Sequence, residues 1–213
     1  RRFQASGVIL DLDGTLVDTA VDIAAAVNAM LVELGREPLT LEQVTSYVGR
    51  GAEVLVHRAL TGELEGEAPR DLFGTAMDAF KVHYRRENGV HSRVYPGVLE
   101  GLAMMRGRGL KLAVVTNKPS DFTLPLLAAA DIDSFFDLVV SGDTLATKKP
   151  DPDPMLHVCQ RFGVEPARMV AIGDSTHDVR AARAAGIAVI VVPYGYNEGS
   201  DVRELDVDAI VAT

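Results

Sequence analysis

The sequence predicts an α/β fold in which a parallel sheet is interrupted, after its first strand, by a helical insert. Short apolar runs of strand length alternate with helical patterns, which is typical of a parallel sheet joined by right-handed crossovers. The interval after the first strand departs from this rhythm because it holds helical patterns only. Polar residues directly follow several strands, where open α/β sheets place their ligands. Strands are predicted at 8–10, 112–116, 138–141, 169–172 and 188–192.

Helical patterns separate most of these strands and complete the prediction of a Rossmann-like core. Each of Gly109, Gly163 and Gly186 lies between a helix and the next strand, where a left-handed C-cap is expected. The helices of the core are predicted at 99–106, 122–130, 154–162 and 178–185.

The interval from residue 18 to residue 89 predicts an all-helical cap domain. Val27, Met30 and Leu31 recur at helical spacing, and Gly35 ends that helix. Thr40 opens the next helix with a capping-box pattern. We therefore divide the chain into a catalytic core, residues 1–17 and 90–213, and a cap, residues 18–89.

An aromatic stripe follows later in the cap, formed by Phe73, Met77, Phe80 and Tyr84 at helical spacing. Such a stripe could face a substrate, but the core of a small helical bundle is the interpretation that we favour.

The composition narrows the partners that the protein could have. The chain has 213 residues, is 47% hydrophobic and carries a net charge of -9, which disfavours binding to nucleic-acid backbones. We expect no membrane span and no signal peptide. The sole cysteine, Cys159, suits a small core position in a reducing, cytoplasmic environment. The pattern leaves both a monomer and a homodimer open.

Two carboxylates follow the first predicted strand, at Asp11 and Asp13, with Gly14 and Thr15 directly after them. Alternate positions of an extended backbone face the same side, so both acids can face one site. Adjacent anions repel unless a cation or a shared proton intervenes, and hard oxygen ligands suit Mg²⁺. The alternative is a loop whose Asp residues only cap a helix or form a turn.

A hydroxyl and an amide end the second predicted strand, at Thr116 and Asn117. Ser120 and Asp121 can cap the helix that follows. A helix N-terminus beside a hydroxyl can bind phosphate, although Thr-Asn at a strand end is also common in loops.

A proline-rich segment carries the next candidate, Lys149, which precedes Pro150, Pro152 and Pro154. We expect these prolines to hold the backbone extended and rigid, and so to aim the Lys149 ammonium at phosphoryl oxygens. Lys148 is interpreted as a solvated surface residue.

Another apolar strand ends in Gly173 and Asp174, with Asp178 four residues further on. Asp174 is placed to complete a metal site with Asp11 and the backbone carbonyl of Asp13. Asp178 could support the metal from an outer position or only favour the start of the next helix. His177 has no nucleophile to pair with and is interpreted as a loop residue.

These four motifs, in this order and with this helical insert, resemble the haloacid dehalogenase superfamily. The resemblance implies that Asp11 is the nucleophile and takes the phosphoryl group. It implies that Asp13 protonates the leaving oxygen and then activates water. Thr116 and Lys149 would hold the transferring group, and Asp11, Asp174 and the carbonyl of Asp13 would hold Mg²⁺.

Further segments resemble one family within it, the bacterial phosphoglycolate phosphatases. The segments are Tyr47 to Ala52 and Arg58 to Leu60 in the cap, Val94 to Val98, and Tyr194 to Gly199. The resemblance implies a small phosphorylated metabolite that carries a carboxylate. Arg50, between two glycines, is the candidate to bind it, with a solvated helix-start residue as the alternative.

Other functions remain open at this point. A related phosphatase would act on a sugar phosphate or on pyrophosphate. A phosphotransferase similar to β-phosphoglucomutase would use the same motifs and return the phosphoryl group to the sugar. A dehalogenase is disfavoured because it has no need for an acid/base at Asp13, and a non-enzymatic binding module because no catalytic position is missing.

Overall fold

The computed structural model describes residues 4–213 and contains a six-stranded sheet with the strand order β5-β4-β1-β6-β7-β8. All neighbouring strands of this sheet are parallel. The strands are β1 (Gly7–Leu10), β4 (Lys111–Val115), β5 (Leu138–Val140), β6 (Met169–Gly173), β7 (Ala188–Val191) and β8 (Ala209–Ile210). The predicted Rossmann-like α/β fold is confirmed, with β1 central and the missed two-residue strand β8 at one edge.

Helices cover both faces of the sheet because side chains along each strand alternate between the faces. Ile9 belongs to a hydrophobic core on one face, whereas Val8 and Leu10 belong to the core on the other. The first core includes residues of α7 (Asp153–Phe162), with Cys159 among them, and of α8 (Thr176–Ala184). The second includes residues of α5 (Val98–Gly107) and α6 (Ser120–Ala129).

The insert consists of four helices that share a third hydrophobic core. The predicted capping box is present, since Thr40 Oγ1 accepts from the Gln43 amide at 3.2 Å and the Thr40 amide donates to Gln43 Oε1 at 2.9 Å. Gly35 follows the first of these helices with φ of +68°, a conformation in which glycine is favoured. The helices are α1 (Ala20–Glu33), α2 (Leu41–Tyr47), α3 (Ala52–Thr61) and α4 (Arg70–Glu87).

A short antiparallel pair lies where the chain leaves the core and returns to it. The strands β2 (Val17–Asp18) and β3 (Arg93–Val94) pair there, and neither was predicted from the sequence. The Tyr95 amide extends the pairing by donating to the Leu16 carbonyl at 3.1 Å. The division of the chain at residues 17 and 90 stays a prediction.

Two local expectations are wrong. His177 lies within α8 and is buried, because the helix begins at Thr176, earlier than the sequence suggested. The proline-rich segment is not extended throughout, since Pro152 adopts helical angles and Pro154 lies in the first turn of α7. Proline fits there because the first turn of a helix leaves its amides unbonded.

Within residues 4–213, no helix combines the length and the apolar character that crossing a membrane requires.

Candidate active site

The carboxyl end of β1 places Asp11 against a buried lysine. The Asp11 amide continues the sheet by donating to the Ile172 carbonyl at 3.0 Å. Asp11 Oδ1 lies 2.8 Å from Lys149 Nζ and accepts from the Leu12 amide at 2.8 Å. Burial raises the pKa of Asp11 to about 7, and the attraction of Lys149 opposes this rise. Asp11 is therefore half-buried beside one fixed positive charge.

Lys149 joins two carboxylates that lie on different elements. Its ammonium is buried, 2.8 Å from Asp11 Oδ1 and 2.7 Å from Asp178 Oδ1. Burial by itself would lower the pKa of Lys149, but the charges of Asp11 and Asp178 outweigh it and raise that pKa. The side chain is therefore a fixed cation.

Asp11, Asp174 and Asp178 form an acidic cluster whose ligand oxygens lie within 4.8 Å of one another. Burial and the neighbouring charges of Asp11 and Asp178 raise the pKa of Asp174 well above its usual range. Three carboxylates so close to one another repel unless a cation joins them, and all-oxygen donors suit a hard divalent ion. The residues therefore fit a divalent metal.

The orientation of each acid is set by its neighbours. Asp174 Oδ1 accepts from Thr15 Oγ1 at 2.8 Å, and Asp174 Oδ2 accepts from the Tyr196 amide. Asp178 Oδ2 accepts from the Ser175 amide at 3.2 Å and from Ser175 Oγ at 2.7 Å, which caps α8. Asp178 Oδ2 therefore caps the helix, which is one of the two alternatives raised from the sequence, while its Oδ1 holds Lys149. Its outer role at a metal stays a prediction.

Glycines allow the backbone to approach these acids closely. Gly14 has φ of +82°, and a Cβ at this position would collide with the Asp174 carboxylate. A Cβ at Gly195 would collide with the same side chain, and one at Gly173 with Asp178. The loops after β1, β6 and β7 therefore meet at the cluster only because these positions lack side chains.

The carboxylate of Asp13 is held apart from the acidic cluster. Its Oδ1 accepts from Thr19 Oγ1 at 2.7 Å and lies 2.8 Å from Lys118 Nζ. The same ammonium donates to the Tyr84 hydroxyl of α4 at 2.6 Å. Sequence reasoning did not single out Lys118. Its place two residues after Thr116, and directly before Pro119, was the available signal.

Thr116 and Asn117 line the same site from the end of β4. Thr116 Oγ1 accepts from the Lys118 amide at 3.1 Å, which shapes the loop. Asn117 Nδ2 donates to the Lys149 carbonyl at 2.9 Å and to the Gly49 carbonyl at 3.0 Å. Asn117 therefore supports the Lys149 segment and also joins the core to the insert. The predicted cap at Ser120 is not formed, because Ser120 bonds to Asp143 instead.

A cavity of about 50 Å³ lies between the insert and the ends of the strands. Phe80 and Tyr84 of the aromatic stripe line it and also belong to the hydrophobic core of the insert. The favoured interpretation, the core of a small helical bundle, is therefore confirmed, and a role of the stripe at the substrate stays a prediction. The cavity is lined by Asp11, Asp13, Ile23, Val48, Gly49, Gly51, Ala52, Leu55, Phe80, Tyr84, Thr116, Asn117, Lys118, Pro119 and Phe122.

Arg50 does not reach this cavity in the structure. Its Nη1 donates to both carboxylate oxygens of Glu65, at 2.7 and 2.9 Å. The neighbouring arginine of the insert, Arg58, is fully buried and forms an ion pair with Glu198 of the core at 2.7 Å. The structure thus brings together every predicted core residue of the site and leaves Arg50 outside it.

A carboxylate fixed beside a buried lysine, with an acidic cluster next to it and a helical insert above, is an arrangement suited to the metal-assisted hydrolysis of phosphate esters. Residues 8–192 match the haloacid dehalogenase-like hydrolases, and the chain belongs to this family.

Its relatives agree with this assignment. The chain is 56% identical to a phosphoglycolate phosphatase of Nitrosospira multiformis, over 96% of the chain and 90% of that protein. It is 49% identical to one of Thiobacillus denitrificans, with the same coverage. A crystal structure described as a predicted phosphoglycolate phosphatase from Haemophilus somnus superposes with a TM-score of 0.92 at 35% identity, covering 99% of this chain and 95% of that one. The predicted superfamily and the predicted enzyme class, a phosphatase, are confirmed.

Proposed function

We propose that the protein hydrolyses 2-phosphoglycolate to glycolate and phosphate, with Mg²⁺ and through an aspartyl-phosphate. The observation that carries the chemistry is the half-buried Asp11 carboxylate, fixed 2.8 Å from Lys149 beside the acidic cluster. The named relatives, 56% and 49% identical over most of the chain, support the choice of substrate.

In the first step, Asp11 attacks phosphorus and the bond from phosphorus to the leaving oxygen breaks. Asp13 donates its proton to that oxygen, which leaves as the alcohol of glycolate. Lys149, with the Thr116 hydroxyl and the Asn117 loop, offsets the negative charge on the phosphoryl oxygens.

In the second step, Asp13 takes a proton from water, and this water attacks phosphorus of the aspartyl-phosphate. The bond to Asp11 breaks, phosphate leaves, and both acids return to their starting state. The hydroxyl of Thr19 and the ammonium of Lys118 orient Asp13 throughout, at 2.7 and 2.8 Å from its Oδ1.

The ligands proposed for Mg²⁺ are Asp11, the backbone carbonyl of Asp13, and Asp174. Bound there, the ion would neutralise charge on the phosphoryl oxygens and reduce their repulsion from Asp11. Asp178 supports the site by holding Lys149 at 2.7 Å.

The insert acts as a cap that excludes water during the first step. Two contacts on the cavity wall support this role. Tyr84 of α4 bonds to Lys118, and the Gly49 carbonyl bonds to Asn117. A cytoplasmic location is part of the proposal and rests on the single, buried Cys159. A monomer and a homodimer are both compatible with this chemistry.

The proposal is tested by phosphate release from 2-phosphoglycolate, sugar phosphates and pyrophosphate, with Mg²⁺ and with a chelator. We expect the highest kcat/KM for 2-phosphoglycolate and no turnover with the chelator. Asp11→Asn should lower kcat more than about 10³-fold without lowering Tm, and Asp13→Asn should accumulate or slow the aspartyl-phosphate. Asp71→Asn, at an exposed position of α4, is the matched control.

Other outcomes of the panel have clear meanings. A preference for a sugar phosphate or pyrophosphate would keep the mechanism and overturn the substrate. Turnover of β-glucose 1-phosphate only with a bisphosphate primer would favour the phosphotransferase. Unchanged activity of Asp11→Asn would overturn the nucleophile.

A further inference from the structure

Lys118 is a buried cation that has one donor left for a bound molecule. Its side chain is 5% exposed, and an ammonium has three N–H donors. One donor is directed to Asp13 Oδ1 at 2.8 Å and a second to the Tyr84 hydroxyl at 2.6 Å. Within residues 4–213, Nζ has no third hydrogen-bond acceptor. Lys118 is also the only lysine or arginine among the described residues that line the cavity.

Lys118 lies on the side of the site where the leaving group is expected, and not beside the phosphoryl group. Lys149 pairs with Asp11, the proposed nucleophile, whereas Lys118 pairs with Asp13, the proposed proton donor to the leaving oxygen. In 2-phosphoglycolate, a single methylene separates this oxygen from the carboxylate. A group that contacts Asp13 while Asp13 contacts the leaving oxygen is therefore close to that carboxylate.

We propose that Lys118 is the residue that recognises the substrate carboxylate, with Tyr84 of the cap as its partner. This inference rests on the proposed function and assigns a specificity-determining residue to the same site. Burial raises the pKa of Tyr84 to about 12, so its hydroxyl stays protonated and can itself donate to a carboxylate.

The apolar walls of the cavity strengthen the preference for a leaving group that carries a carboxylate. Ile23, Phe80 and Phe122 line it beside Lys118. Apolar walls lower the local dielectric, so an ion pair between the ammonium and a carboxylate is stronger there than in water. A leaving group with a hydroxyl in place of the carboxylate loses this attraction. The cation predicted from the sequence, Arg50, is paired with Glu65 instead.

The test compares 2-phosphoglycolate with 2-hydroxyethyl phosphate, in which a hydroxymethyl group replaces the carboxylate. The measured quantity is the ratio of the two kcat/KM values. Wild type should prefer 2-phosphoglycolate about 10²-fold or more, and Lys118→Met should reduce this ratio at least about tenfold. Lys118→Arg should retain part of the preference because it keeps the charge, and Tyr84→Phe should lose a smaller part. Lys81→Met, at a half-buried position of α4 that does not line the cavity, makes the same change of charge.

Binding of two inhibitors provides a readout that is independent of turnover. Calorimetry with Mg²⁺ should show that wild type binds 3-phosphonopropionate more tightly than propylphosphonate, which lacks the carboxylate. Lys118→Met should bind the two with similar Kd. This readout stays informative if the variant loses most of its activity through Asp13.

Each outcome decides a different question. If Lys118→Met lowers both kcat/KM values equally and retains the difference in binding, Lys118 only positions Asp13 and the inference is overturned. If Arg50→Met abolishes the preference while Lys118→Met retains it, Arg50 is the carboxylate site. If wild type shows no preference for 2-phosphoglycolate, the proposed function itself fails.

Discussion

Asp22 offers a demanding test of how the insert is tied to the core. It lies in the first turn of α1 and is fully buried. Its oxygens accept from the amides of Gly89, His91 and Ser92 at 3.0, 2.8 and 3.0 Å, and from Ser92 Oγ at 2.6 Å. The Asp22 carboxylate thus binds residues 89–92, the segment after α4, to α1, the first helix of the insert.

The cost of Asp22→Ala follows from these bonds. Three amides and a hydroxyl lose their acceptor, and a buried donor without a partner costs about 1–3 kcal/mol. His91 is exposed and Gly89 and Ser92 are half-buried, so water replaces part of the loss. Removing a buried charge also recovers some desolvation energy. We expect the free energy of unfolding to fall by about 3 kcal/mol, which lowers Tm by roughly 6–12 °C in a chain of this length.

Urea unfolding followed by circular dichroism measures this change. Asp22→Asn should lower the free energy of unfolding less than Asp22→Ala does. The side-chain oxygen of Asn can take the place of Asp22 Oδ2, which accepts three hydrogen bonds. Asp71→Ala, also in the first turn of a helix but exposed, should cost less than about 1 kcal/mol. If Asp22→Ala is no more destabilising than Asp71→Ala, the reasoning about this junction is wrong.

Three further predictions concern the site and its surroundings. Mg²⁺ at about 100 times its Kd should stabilise the folded protein by about 2.7 kcal/mol, and thermal unfolding with chelator should remove the gain. The His177 ring, the strongest influence, and Arg58 lower the pKa of Glu198 to about 2, although burial opposes them. Because this pKa is lowered, ionised Glu198 stabilises the fold fully when the pH is well above its usual pKa of 4.5. The stabilisation is lost as the pH falls below that value. The difference in free energy of unfolding between wild type and Glu198→Gln should therefore shrink by about 1 kcal/mol as the pH falls from about 6 to about 3.5, after allowance for partial exposure. Urea titrations measure this difference. A difference that does not depend on pH would contradict the pairing of Glu198 with His177 and Arg58. Gly51→Ala should lower the free energy of unfolding by about 1–2 kcal/mol and should also lower kcat. The reason is that Gly51 has φ of +88° and that an added Cβ would lie 2.9 Å from the Asn117 carbonyl oxygen. Wild-type kinetics would count against this contact.

The parts of the site that follow strands could be predicted from the sequence. Asp11, Thr116 and Asp174 each come directly after a buried apolar run, and parallel strands bring such ends to one edge. Local signals were also sufficient for the capping box at Thr40 and the C-cap at Gly163, whose φ is +64°. Each of these depends on a few adjacent residues.

Pairs between distant segments could not be read in the same way. Asp13 and Lys118 are separated by 105 residues, and Arg58 pairs with Glu198 from another part of the chain. The periodicity of the sequence does not show which charged residues form ion pairs, because these pairs depend on how the insert packs against the core. The partner of Arg50 belongs to the same class, since the sequence offered no sign that Glu65 pairs with it; its role at the substrate carboxylate stays a prediction.

The contacts that close the cap involve the groups that would perform the chemistry. Lys118 bonds to Tyr84 of α4 and to Asp13, and Asn117 bonds to the Gly49 carbonyl and to the Lys149 carbonyl. Such bonds contribute about 0.5–3 kcal/mol each. Opening the cap at these contacts removes one support from Lys118 and one from Asn117. Under the proposed mechanism, water therefore enters as Lys118 and Asn117 each lose one support, so the first transfer, from substrate to Asp11, is favoured with the cap closed.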